Sequence, residues 1–263
     1  MKYIQIFVSL IVLWSFTACV DDQVEPQVDP PDLVKIGEGT EDGVKITVYG
    51  DRDKFYEGFN VIYVTLEEGS SPILGYWNEV KLSTSMNTPG GLIGSPVVQP
   101  EYDQTTGLYV GAVVFTMPAN DLDPWKLEVT YEGRTVTINL NVQALPLGTN
   151  HTSAYLGTDG KTYQLTLVNP MMPQIGFNDL LIMVHEVVDA QNYLAKDELD
   201  IEVGTEMIAS GQVSSGHDHP LSTGEGFYVG KVNLSAQGEW RLNFKLMDGE
   251  NTLLENGFLD IKI

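Results

Sequence analysis

The sequence predicts an all-β protein, built as two tandem β-sandwiches behind an export leader and a disordered tether. Three observations predict it. Apolar and polar residues alternate along many short segments, and turn dipeptides separate those segments. The chain also repeats itself at an offset of roughly 119 residues, as Tyr109 against Tyr228 illustrates.

The leader comes first. Residues 1–18 open with Lys2, and Ile4 to Phe16 is apolar except for Gln5, Ser9 and Ser15. That run is too short to span a bilayer comfortably and reads as a signal peptide. It ends in Phe16-Thr17-Ala18-Cys19, which resembles the lipobox of bacterial lipoproteins, with Phe16 where that family usually has Leu. The resemblance implies that Cys19 is lipidated and becomes the mature N-terminus. Cys19 is the only cysteine of the 263 residues, so no internal disulfide can form.

Residues 19–34 are acidic and rich in proline and are expected to be an extended, disordered tether. Asp21 and Asp22 resemble the acidic signal that sends some lipoproteins to the cell surface, so display outside the outer membrane is expected over the periplasm. The whole chain carries a formal charge of −22. Removing the leader takes away only Lys2, leaving 13 basic against 36 acidic residues. Such a body repels nucleic acid and anionic membrane surfaces, so neither is expected as a partner of the folded part.

Two copies follow, near residues 35–144 and 150–263, with the seam between Ala144 and Asn150. Gly58-Phe59-Asn60 returns as Gly176-Phe177-Asn178, and Met86 as Met207. Ser95-Pro96-Val97 is matched to His219-Pro220-Leu221, Tyr109 to Tyr228, Trp125 to Trp240, and Gly133 to Gly249. Val44, Ile46 and Val48 alternate with Lys45, Thr47 and Tyr49, the mark of a half-buried strand. Trp125–Thr130, Thr135–Asn141 and Trp240–Leu246 alternate in the same way. Glu132-Gly133, Asp159-Gly160 and Asp248-Gly249 look like tight hairpin turns. Residues 186–199 come nearest to a helical period without sustaining it. About seven short strands in roughly 110 residues describe an immunoglobulin-like β-sandwich for each copy. The repeated Tyr and Trp residues are expected in the two cores.

Each copy also has a Met- and Gly-rich segment ending before Pro, then a Gly-x-Tyr-x-Gly strand, then a strand opening on Trp. In the second copy these are Met207, Gly211, Gly216, His217, His219 and Pro220, then Gly226 to Gly230, then Trp240. This pattern resembles the YtkA/FixH-like β-sandwich domains. The resemblance implies an exported sandwich and a metal-related accessory role, with copper as the metal. The first copy has no histidine in the corresponding segment.

The candidate metal site is therefore in the second copy. His217 and His219 flank Asp218, and two imidazoles so spaced can ligate one ion from an extended loop. Strand topology places the Met171-Met172 turn at the same end as Met207, His217 and His219. Thioether with imidazole suits copper(I), and imidazole also takes copper(II) or zinc. A solvated, purely structural loop is the alternative. His185-Glu186-Val187-Val188-Asp189 superficially resembles a zinc-protease helix but lacks its second His, so His185 is expected at a strand edge or on the surface. His151 is expected in the linker. Asp51-Arg52-Asp53 and Asp121-Leu122-Asp123 read as turns.

No nucleophile elbow, phosphate loop or thiol nucleophile is present, so an enzyme is not expected. Three functions compete. The first is a lipid-anchored envelope or surface accessory protein that binds a metal or another exported protein. The second is an adhesin-like or structural spacer. The third is a glycan-binding component beside an uptake system, using an exposed Trp such as Trp77.

Overall fold

The computed structural model describes residues 33–120 and 123–263. The leader, Cys19, the tether before residue 33, and Asp121-Leu122 lie outside the described residues. Among the described residues there is no helix, and 186–199 contains a short strand instead.

The first copy runs through β1 (Val34–Glu41), β2 (Val44–Gly50), β3 (Phe55–Tyr56), β4 (Gly58–Glu68), β5 (Ser71–Pro72) and β6 (Val80–Thr88). It continues with β7 (Gly91–Ile93), β8 (Val97–Asp103), β9 (Leu108–Phe115), β10 (Trp125–Tyr131), β11 (Arg134–Leu140) and β12 (Val142–Gln143). The second has β13 (Thr152–Leu156), β14 (Thr162–Asn169), β15 (Gly176–Val187), β16 (Tyr193–Ala195) and β17 (Asp200–Met207). Then come β18 (Val213–Ser214), β19 (Asp218–Gly224), β20 (Phe227–Leu234), β21 (Glu239–Asp248) and β22 (Asn251–Lys262).

The two copies share one plan. A six-stranded sheet is ordered β1-β2-β4-β9-β8 with β5 on β4 in the first, and β13-β14-β15-β20-β19 with β16 on β15 in the second. The opposing four-stranded sheets are β11-β10-β6-β7 and β22-β21-β17-β18. These are tandem immunoglobulin-like β-sandwiches. Turn chemistry fixes the registers. Glu132 and Gly133 both hold positive φ between the paired Tyr131 and Arg134, the twist that a two-residue hairpin needs.

Each sandwich closes on its own core. One cluster contains Ile46, Ile62, Val64, Tyr109, Phe115, Trp125 and Leu127, and the other Leu165, Ile182, Tyr228, Trp240, Leu242 and Phe244. Trp125 and Trp240 are fully buried, and their indole N–H groups donate to the carbonyls of Met117 and Ala236. Truncating either indole to Ala is expected to cost about 3–5 kcal/mol.

A further buried layer lies between the copies. Thr47, Thr65 and Val114 point away from the first core, and Thr166, Met183 and His185 away from the second, yet all are buried and belong to neither core cluster. The outer faces of the two large sheets cover one another. Phe59 and Phe227 meet edge-on at 6.3 Å between ring centroids, and the Gly94 N–H donates to the Ala190 carbonyl at 2.8 Å. In this layer Thr152 and Thr166 share a bond at 3.0 Å, and Gln164 donates to Thr152 at 2.7 Å. This corrects two sequence expectations. Thr47 and Tyr49 are buried rather than solvated. His185 is neither an edge nor a surface residue, because β15 lies inside its sheet and its outer face is covered.

Candidate functional site

Of the two histidines of the candidate metal site, His219 lies in β19 and His217 immediately precedes it. The His217 ring accepts the Asn233 N–H at Nδ1, 3.2 Å, and its Nε2 lies 3.0 Å from the Ser214 carbonyl, to which it donates. Both ring nitrogens of the neutral imidazole are therefore engaged. His219 accepts the Val203 N–H at Nδ1, 3.0 Å, reaching from β19 to the open edge of β17. The first copy does this with Gln99, whose amide accepts the Leu82 N–H at 2.8 Å and donates to the Leu82 carbonyl at 3.0 Å. Gly111 sits against Val98 and Pro100 as Gly230 sits against Asp218 and Pro220. Gln99-Pro100 is thus the structural partner of His219-Pro220, and the sequence match to Ser95-Pro96 was four residues out of register.

The methionines are held in other environments. Met207 packs on the second core beside Gly238. Met171 lines the seam with Phe59, Pro146 and His151, and Met172 is largely exposed. Among the described residues no group of three or more His, Cys, Asp or Glu side chains is placed to hold a metal ion. The donors at His217, His219, Met207, Met171 and Met172 do not fit a copper or zinc site in this arrangement, since the imidazole lone pairs serve the sheet edges.

A different constellation stands out in the first copy. Between β5 and β6 the chain has seven residues, 73–79, where the second copy has four between β16 and β17, 196–199. Trp77 is 85% exposed at the tip of this insertion, and Tyr76 beside it is also exposed. Below them the loop is pinned to buried groups. The Tyr109 hydroxyl lies 3.3 Å from the carbonyls of both Ile73 and Gly75. It also accepts the Asn78 side-chain N–H at 3.0 Å, while Asn78 Oδ1 accepts from the Tyr131 hydroxyl. The indole of Trp77 lies over Gly75, which holds φ +116°; a Cβ there would sit 2.9 Å from the ring. Tyr76 meets Tyr102 edge-on at 5.5 Å, and Tyr102 meets Tyr109 at 5.2 Å, so three rings lead from solvent to core. Burial pushes the phenols of Tyr102 and Tyr109 up, so both stay protonated at neutral pH.

No protein-family model matches the chain, and no curated protein does. Solved structures give distant likenesses. The chain is 14% identical to FdeC, a broadly conserved Escherichia coli adhesin, over 86% of its own length and 66% of that chain, with a TM-score of 0.28. Invasin, a bacterial integrin-binding protein, is 10% identical over 84% of this chain and 39% of its own, TM-score 0.27. A conserved domain protein from Bacillus anthracis is 11% identical over 88% and 91%, TM-score 0.29. The chain thus spans less than two thirds of the adhesin and of the invasin. At such scores these likenesses carry no weight, and the fold assignment rests on strand order and the two cores.

The exposed pair at Tyr76 and Trp77 can stack on a flat apolar surface while leaving the indole N–H free for a polar contact. The sequence points to Trp77 but not to Tyr76 or Tyr102. The available signal was the insertion itself: an aromatic loop that one repeat has and the other lacks.

Proposed function

We propose that this protein is a lipid-anchored, cell-surface binding protein of adhesin-like kind, without catalysis, that meets its ligand through the Tyr76–Trp77 loop. One observation carries the reading: a large aromatic residue is held in solvent by a loop whose Ile73, Gly75 and Asn78 are hydrogen-bonded to the buried Tyr109. Leaving an indole in water is unfavourable, and rigid exposed aromatics are what interfaces use as anchors, because little conformational entropy is lost on contact. A loop inserted in one copy of a repeated scaffold is also the usual place for function to reside. The lipobox-like Cys19 and the acidic residues after it support anchoring in the outer membrane facing outward.

The test uses the full-length protein, labelled, on a glycan array and on intact cells, beside Trp77→Ala. The expected result is a ligand that wild type binds and the variant loses. Equal binding by both, or none by either, removes the proposal. Palmitate labelling of wild type and Cys19→Ala, with protease added to whole cells, tests the anchor and its side of the membrane.

A further inference from the structure

A cleft of about 820 Å³ opens between the two copies, and its walls come from both. The first copy supplies Val98 and Glu101 from β8, and the second supplies His185, Leu194 and Glu225. Its charge is one-sided. Glu79 is paired with Lys81 at 3.2 Å, and Asp197 accepts the Gly226 N–H, but Glu101 and Glu225 have no ion-pair or hydrogen-bond partner among the described residues. Leu194 is 55% exposed there, an apolar side chain left without cover.

The floor supplies an independent observation. His185 is 4% exposed, and its Nδ1 is a buried nitrogen with no hydrogen-bond partner. A buried polar atom left without a partner is destabilising and needs a reason. Burial pushes the imidazole down to about 4, against the opposing pull of Asp197, so at neutral pH it adds no positive charge to the cleft. Among the described residues no three such groups approach closely enough to share a metal ion. A ligand that meets both carboxylates is best cationic, and Val98 and Leu194 offer its hydrocarbon an apolar contact.

We propose that this cleft binds an extended alkylammonium ligand, its ammonium groups at Glu101 and Glu225, its hydrocarbon on Val98 and Leu194, and an N–H donor turned to the His185 ring. One carboxylate comes from each copy, so the site exists only because the sandwiches are locked face to face. A free polyamine and the lysine side chains of a peptide share this chemistry.

Isothermal titration of the full chain with spermidine, and separately with an end-blocked tri-lysine peptide, reads the binding directly. Saturable single-site binding of at least one is expected. A tighter peptide identifies a lysine-bearing partner; tighter spermidine identifies a free polyamine. The double variant Glu101→Gln/Glu225→Gln is expected to weaken binding about tenfold. Glu68→Gln/Glu250→Gln removes the same charge elsewhere and is expected to change affinity by less than about twofold. Absence of saturable binding overturns the proposal. So does equal weakening by the two double variants, which marks general attraction to an acidic body. Neither result touches the Trp77 reading, which has its own ligand and its own variant.

Discussion

Gln99 and His219 occupy the same bulged position in the two copies, and each closes the exposed edge of the opposite sheet with a side chain instead of a strand. The bond to Val203 needs only an acceptor at that place. His219→Gln is therefore expected to retain stability within about 0.5 kcal/mol, whereas His219→Leu is expected to lose about 1 kcal/mol through the orphaned Val203 N–H. Urea unfolding of the two variants checks this. Copper and zinc titrations on His219→Gln, which folds but lacks the imidazole, should match wild type.

Asn60 and Asn178 make the same clasp in each copy. Each side-chain oxygen accepts a backbone N–H four residues back, from Tyr56 or Gln174, and each NH₂ donates to two carbonyls of the same turn. Asn178→Ala is expected to destabilise by about 2 kcal/mol, because it leaves several backbone groups of the turn without partners. Asn178→Asp should also destabilise, since a carboxylate repels the Gln174 and Gly176 carbonyls. Equal unfolding midpoints for wild type and both variants would contradict the clasp.

His185 sets a pH dependence whose sign is fixed by burial. The folded-state pKa is about 4 and the unfolded value is 6.5, so between them the unfolded chain binds the extra proton. Stability from keeping this ring neutral is complete above pH 6.5 and is lost as pH falls toward 4. The full effect is on the order of 3 kcal/mol. His151 and His217 are pushed down by burial as well and share the sign. Comparing wild type with His185→Phe cancels them. The stability difference between the two proteins should shift against wild type from pH 7 to pH 4.5, and a constant difference would refute the assignment.

Gly94 tests the lock between the copies. A Cβ at this position would lie 2.8 Å from the Gln191 carbonyl oxygen, backbone against backbone. Gly94→Val is expected to cost about 1–3 kcal/mol through overpacking. If the lock is as tight as this contact implies, small-angle scattering of the variant should also show a larger radius of gyration.

Alternation alone located the strands, because a side chain every second residue must enter one core. Glu132-Gly133 located a hairpin, because only small or polar residues accept positive φ there. The repeat placed Trp125, Trp240, Tyr109 and Tyr228 in equivalent core positions. None of these depends on what the outer faces touch. Trp77 was legible as an aromatic without a counterpart; Tyr76 and Tyr102 were not, since their meeting depends on β8 passing beside the inserted loop.

What the sequence by itself determined was therefore the list of strands, the two inner faces and the duplication. The tertiary structure decided what happens on the outer faces: Thr47, Thr166 and His185 are buried because one copy shields the other. It also decided that His217 and His219 spend their lone pairs on sheet edges. The physical reason is that a polar residue satisfied inside a protein and one satisfied by water are written with the same letters. Only the partner's position in space tells them apart.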